Sequence, residues 1–264
     1  MKKNTAYYLS FLIFFVLMTL IACSGKNNKS SQTPAHLIAN TPEYLVNEGI
    51  IYLHQGDLKM AETQFKKALK KKSTLTSAIN GLGIIYLNKS EFRKALEYFQ
   101  QVTRINPKHF DAYNYIGIIY TELKEYNLAK ENLLIAANGE TYSTPENAYA
   151  NLAMLEIKQN RIDSALRYVE KGMAKNDRFA PLYNLKGVIC ENTQNYAAAL
   201  SYYEKALSIQ AEEDPTILIN IGRLYIKMQK IDKAMDTLEK ALSKASTPQL
   251  KEEIRQLILG IENK

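Results

Sequence analysis

Six times after Pro42 the chain repeats one spacing of small and large residues. A small residue stands at Gly49, Gly83, Gly117, Ala153, Gly187 and Gly222, at intervals of 34, 34, 36, 34 and 35 residues. Twelve residues after each comes Ala61, Ala95, Ala129, Ala165, Ala199 and Ala234, and seven further on Ala68, Val102, Ala136, Gly172, Ala206 and Ala241. Large side chains keep the same register. Three residues after the first set lie Tyr52, Tyr86, Tyr120, Glu156, Cys190 and Tyr225, and four after the alanine lie Phe65, Phe99, Leu133, Val169, Tyr203 and Leu238. A period of this length means stacked supersecondary units, each burying its open face on the next. Two antiparallel helices approach closely only where facing side chains are small, and the small columns provide that approach.

Other residues agree with helical pairs. Pro107, Pro145, Pro181, Pro215 and Pro248 fall between units or in a helix's first turn, where the missing N–H costs nothing. Gly56-Asp57 supplies the turn inside the first unit. After the last unit, Leu250, Ile254, Leu257 and Ile261 share one helical face over 249–264, which predicts a capping helix. Only 11 Gly and 7 Pro argue against a turn-rich β fold, and 46% apolar residues exclude wholesale disorder. The expected fold class is all-α, a superhelical solenoid of six units plus the cap.

The pattern resembles the tetratricopeptide repeat, a helix–turn–helix unit, over residues 42–248. It departs from that family at the fourth position, occupied by Leu45, Ile79, Tyr113, Tyr149, Tyr183 and Leu218 where the family usually has Trp. Unit four carries Glu156 where Tyr is usual. A two-residue insertion around 139–145 precedes it, and is expected to bend the stack or split it into halves of three.

The N-terminus reads differently. Lys2 and Lys3 precede the apolar run Phe11–Met18, and Leu20-Ile21-Ala22-Cys23 resembles a lipobox. Residues 1–22 are therefore expected to be a lipoprotein signal peptide, with lipidation on Cys23. The alternative is an uncleaved membrane anchor over Ala6–Ala22, at the short end of spanning lengths. Residues 23–41, polar and small, then form the lipidated end and a flexible tether. Ser24 after the cysteine favours the outer membrane by the rule of such lipoproteins, so the expected place is the bacterial cell envelope, facing the periplasm. The formal charge is +7, and losing Lys2 and Lys3 with the signal leaves +5, a mild excess that, beyond a membrane, predicts no nucleic-acid partner.

The sequence offers little for catalysis. His36, His54 and His109 lie in separate segments without metal-ligand spacing, and no Gly-rich phosphate loop or nucleophile elbow occurs. No enzymatic activity, metal, cofactor or small-molecule substrate is expected. Cys190 occupies a packing column and reads as a buried structural thiol. The lysines at 66, 67, 70, 71 and 72 end the second helix of unit one. Cations there complement the helix dipole; contact with anionic lipid or an acidic partner is the other reading.

The resemblance implies a binding surface. In this repeat family the second, fifth, ninth, twelfth and thirteenth positions line a concave face. The candidate groove residues here are Ile50, Leu53, Asn80, Ile84, Leu87, Asn114, Ile118, Met154 and Ile157. The family's usual Asn at position nine is absent throughout, which leaves its carboxylate clamp unsupported. The groove of units one to four is expected to be apolar, punctuated by Asn80 and Asn114, and to take a protein partner.

Lipobox, short tether, six units and the junction Tyr142–Leu152 together resemble the lipoprotein pilotins of type IV pilus systems. That likeness implies binding of secretin subunits, with promotion of their outer-membrane localisation and assembly. A scaffold lipoprotein for another cell-envelope assembly complex is the alternative.

Overall fold

The computed structural model describes residues 40–210 and 212–262. The signal segment, Cys23 and the tether up to residue 39 lie outside the described residues. Among those described there is no strand, and thirteen helices follow one another. Six antiparallel pairs comprise α1 (Pro42–His54) with α2 (Leu58–Lys71), α3 (Thr76–Asn88) with α4 (Phe92–Ile105), and α5 (Phe110–Glu122) with α6 (Tyr126–Ala137). They continue as α7 (Pro145–Lys158) with α8 (Ile162–Lys175), α9 (Ala180–Asn192) with α10 (Tyr196–Ile209), and α11 (Pro215–Lys227) with α12 (Ile231–Lys244). A final helix, α13 (Pro248–Glu262), packs on α12 and α11. None of these helices is long and apolar enough to cross a membrane.

One boundary, that of the last helix, lies a residue from the one read in the sequence. α1 starts at Pro42, and the hydroxyl of Thr41 just before it accepts from the Tyr44 N–H at 3.1 Å and caps the helix. The last helix starts at Pro248, the favoured site for proline at a helix start.

The small and large columns face each other. A Cβ at Gly49 would stand 2.6 Å from the Phe65 ring, and one at Gly83 2.8 Å from the Phe99 ring. Gly117 meets Leu133, Gly187 meets Tyr203 and Gly222 meets Leu238 in the same way. In unit four the small residue grows to Ala153 and the large one shrinks to Val169, and both remain fully buried. Volume is conserved within the pair, as a closely packed interior requires.

The core is a succession of clusters, most of them bridging adjacent repeats. Phe65 of α2, for example, packs with Ala78, Leu82 and Ile85 of α3. The insertion does not split the stack. Tyr142 is buried there with its ring 6.2 Å from that of Phe110, and one cluster runs from Ala129 and Leu133 of α6 through Tyr142 to Leu152 and Leu155 of α7. The extra residues are absorbed by burying an aromatic in the link. The described residues from Thr41 onward accordingly form one compact unit.

Every intra-repeat turn uses one left-handed residue. It is Gly56 in the first unit (φ 78°), then Ser90, Lys124, Asn160, Gln194 and Gln229, all with φ between 56° and 64°. The next N–H closes on the carbonyl of the eleventh repeat position, as in Asp57 to Tyr52 at 2.9 Å and Arg161 to Glu156 at 2.8 Å. This is the bond pattern that commonly ends helices at glycine. The sequence marked only Gly56, because elsewhere the turn is imposed on residues that do not advertise it.

At the C-terminus α13 buries Ile254, while Leu250, Leu257 and Ile261 pack half-exposed against the same cluster. The cap is incomplete. A cleft of about 660 Å³ stays open between it and the last repeat, lined by Ile226, Ile231, Leu257 and Ile261 among others.

Candidate partner-binding groove

First helices of neighbouring repeats touch along one side of the stack, among them α1 with α3, α5 with α7, α7 with α9 and α9 with α11. The candidate groove residues separate there into three kinds. Leu53, Ile84, Leu87 and Ile157 are half-buried and lean on the core clusters beneath them. Ile50 and Met154, each 39% exposed, and the half-buried Ile118 belong to no core cluster. These three are the apolar side chains the face presents without using them for packing.

The asparagines are the third kind. Asn114 is buried, and its Oδ1 accepts from the Asn151 amide at 2.9 Å. It is a tie between repeats, not the free groove contact that the sequence suggested. Asn184 and Asn220 form the equivalent tie at 2.9 Å. Each joins position five of one first helix to position six of the next. At Asn80 the partner position is Tyr115, which stacks on Phe99 at 4.8 Å between ring centroids, and the Asn80 Oδ1 is buried without a donor. Asn151, Asn184 and Asn220 were missed in the sequence. Their signal is asparagine recurring one repeat plus one residue apart, 37 residues in the first tie and 36 in the second.

Charges near the face are paired with one another. Lys158 donates to Glu122 at 2.7 Å and Lys227 to Glu191 at 2.6 Å, each from one first helix to another, and Arg223 donates to Glu253 of the cap at 2.7 Å. Glu191 also accepts from the buried Tyr203 hydroxyl at 2.8 Å, and burial together with that carboxylate pushes the phenol's pKa up. Thr121 is spent internally, donating to the Gly117 carbonyl at 2.9 Å. Apolar character is therefore concentrated in units one to four, and units five and six add Arg223 and Glu191 in paired form.

Two carboxylates tie second helices to the next repeat. Glu62 of α2 accepts from Lys66 at 2.6 Å, from Lys89 at 2.8 Å and from the Tyr86 hydroxyl at 3.0 Å. Lys66 first, then Lys89 and Tyr86, hold its carboxyl down at about 2. Because the folded value lies below the unfolded one, the unfolded chain takes up the proton first as pH falls. The stability Glu62 contributes is thus present above the ordinary carboxylate range and lost on acidification towards pH 2. Glu62→Gln is expected to cost about 1 kcal/mol at pH 7, a discounted value for a partly exposed charged hydrogen bond. In urea titrations the gap to the parent should narrow below about pH 4 and close near pH 2.

The second carboxylate is Glu156, fully buried, with Lys130 of α6 at 2.6 Å and Arg161 at 3.8 Å. Cys190 is half-buried rather than buried, and burial raises its thiol pKa, so it is a poor nucleophile. Among the described residues no three His, Cys, Asp or Glu side chains converge to hold a metal.

Comparison with known proteins agrees with this geometry. Tetratricopeptide-repeat models match residues 42–70 and 80–137, and the model of the tetratricopeptide repeat protein 21 C-terminal ARM domain matches 134–258. The tetratricopeptide repeat protein 21 homolog of Caenorhabditis elegans is 25% identical over 130 residues, covering 47% of this chain and 10% of that protein. Photosystem I assembly protein Ycf3 of Prochlorococcus marinus is 30% identical over 93 residues, 32% of this chain and 54% of its own. The chain thus spans about a tenth and about half of these two relatives. Among solved structures, a tetratricopeptide repeat protein from Parabacteroides merdae aligns with TM-score 0.71 at 21% identity, covering 88% of this chain and 87% of that one. PilW, described as a widely conserved type IV pilus biogenesis factor, aligns with TM-score 0.66 at 18% identity, covering 81% of this chain and 97% of its own.

Proposed function

We propose that this chain, an array of tetratricopeptide repeats, is a membrane-anchored scaffold that holds an apolar segment of another protein in its groove. The observation that carries the reading is the set Ile50, Ile118 and Met154, which lie on the face of the first helices outside every core cluster. Apolar side chains that one face leaves outside the core are where a partner's apolar segment would seat. A helix laid along the groove would cover them and leave the paired charges at its rim.

The specific job we assign is that of a pilotin. The protein would take secretin subunits to the outer membrane and favour their assembly into the pore. Three features support this together: the lipobox-like Leu20-Ile21-Ala22-Cys23, the fold likeness to a pilus biogenesis factor, and the Tyr142–Leu152 junction. The acyl chains on Cys23 would concentrate the cargo at one membrane. The similarity to an assembly protein of another system favours, as second reading, a scaffold for a different envelope complex.

Affinity purification of the intact protein from gently solubilised envelopes tests the choice. Secretin as the dominant companion is the expected result. Another assembly complex, recovered while expressed secretin is absent, would move the function to the second reading. In the same cells Cys23→Ala should release a folded protein from the detergent phase, whereas continued partitioning would point to an uncleaved anchor.

A further inference from the structure

The outer face of α2 differs from that of the other second helices. Lys59, Lys66, Lys67, Lys70 and Lys71 are all exposed on it, followed by exposed Lys72. The buried side of the same helix is Ala61, Gln64, Phe65 and Ala68. Its one carboxylate, Glu62, is turned towards the next repeat and held by Tyr86 and Lys89 as well as Lys66. Lys72 has a partner in Glu43 at 3.6 Å, but both side chains are more than half exposed, so the pair is weak. Lys59, Lys67, Lys70 and Lys71 have no carboxylate partner among the described residues. By contrast, α12 mixes Asp232, Asp236 and Glu239 with its lysines.

Two further facts give this patch a direction. The Lys72–Glu43 contact sets its basic end beside the start of α1, where the chain enters from the N-terminal segment. The patch also lies on a second helix, whereas the groove is built from first helices.

We propose that the lysine face of α2 docks on an anionic phospholipid surface and so holds the groove turned away from the membrane. Lysine is a compact, strongly hydrated point charge suited to diffuse attraction to headgroups. The centres of protein–protein contacts are instead rich in aromatics and arginine and poor in lysine. No arginine or exposed aromatic lies on α2, and its one exposed large apolar side chain is Met60, a composition that favours lipid over an acidic protein. The inference concerns a second surface and does not depend on the groove's cargo, nor on whether residues 1–23 attach through acyl chains or an uncleaved span.

The test is amine-reactive footprinting of the full chain reconstituted with vesicles of phosphatidylethanolamine and phosphatidylglycerol, against phosphatidylcholine vesicles. Labelling of Lys67, Lys70 and Lys71 should slow by roughly fivefold or more on the anionic vesicles, given the attraction of each lysine to such a surface. The protection should vanish in 1 M salt, where screening acts within about 3 Å, and exposed Lys124 and Lys205 should be unaffected. The triple variant Lys67→Gln/Lys70→Gln/Lys71→Gln, with unchanged helical signal, should also free Lys59. Equal labelling on the two vesicle types would overturn the proposal. So would failure to attach to anionic vesicles, or protection that arises only after an acidic protein or nucleic acid is added.

Discussion

Ile50→Glu, Ile118→Glu and Met154→Glu combined should lower partner affinity by at least about a hundredfold while the helical signal and urea midpoint stay near those of the parent. The three residues are separated by one repeat or more along the chain, so a bound segment that covers all of them meets three charges. Truncating a hot-spot side chain at an interface centre costs about 2 kcal/mol or more, and burying an unpaired carboxylate adds to that. Stability is spared because none of the three belongs to a core cluster. Glutamate at Ile84 or Leu87 would be a poorer experiment, since both pack against the core around Phe99 and Ile116. Equilibrium binding to the purified partner, alongside urea denaturation, checks both halves of the expectation.

The second large effect concerns stability. Lys130→Met should cost about 3 kcal/mol, because it leaves Glu156 buried with Arg161 alone, at 3.8 Å. Glu156 replaces the usual Tyr at its repeat position and is fully buried, and Lys130 reaches it from the preceding repeat at 2.6 Å. The Lys130 pKa is raised above the ordinary lysine value, chiefly by its hydrogen bond to that carboxylate. Breaking a buried pair on one side is far costlier than replacing both sides. Glu156→Met/Lys130→Met should therefore return to within about 1 kcal/mol of the parent. Urea midpoints of the two variants distinguish this from a simple loss of volume, which would make the double variant the worse of the two.

The fold was readable from the sequence because its packing is periodic. Gly49 with Phe65 and Gly83 with Phe99 appear as columns one repeat apart, and even the exception, Ala153 with Val169, keeps their joint volume. What stayed hidden is what lacks a repeated letter. Ser90, Lys124, Gln194 and Gln229 adopt the conformation of Gly56 because the two flanking helices dictate it. The exposed side of the first helices was legible as a face but not as a division of labour. At position nine Ile50 and Met154 are exposed and Ile118 is half-buried, yet the rule that places position five on the face could not tell Asn114 from a free contact. Its amide is engaged by Asn151, which lies 37 residues away. Glu156 was visible only as a departure, since its partner Lys130 sits on the helix of another repeat.

Photo-crosslinking in living cells reads the central claim whatever the partner is. A benzophenone side chain at Ile118 or Met154 faces the groove. At Ile105 or Leu128, 40% and 41% exposed on second helices, it supplies an equally apolar and at least as accessible control. A discrete protein adduct from the first pair, absent from the second, is the predicted result. An adduct from Ile105 or Leu128 with none from Ile118 and Met154 would contradict the groove as the partner's seat.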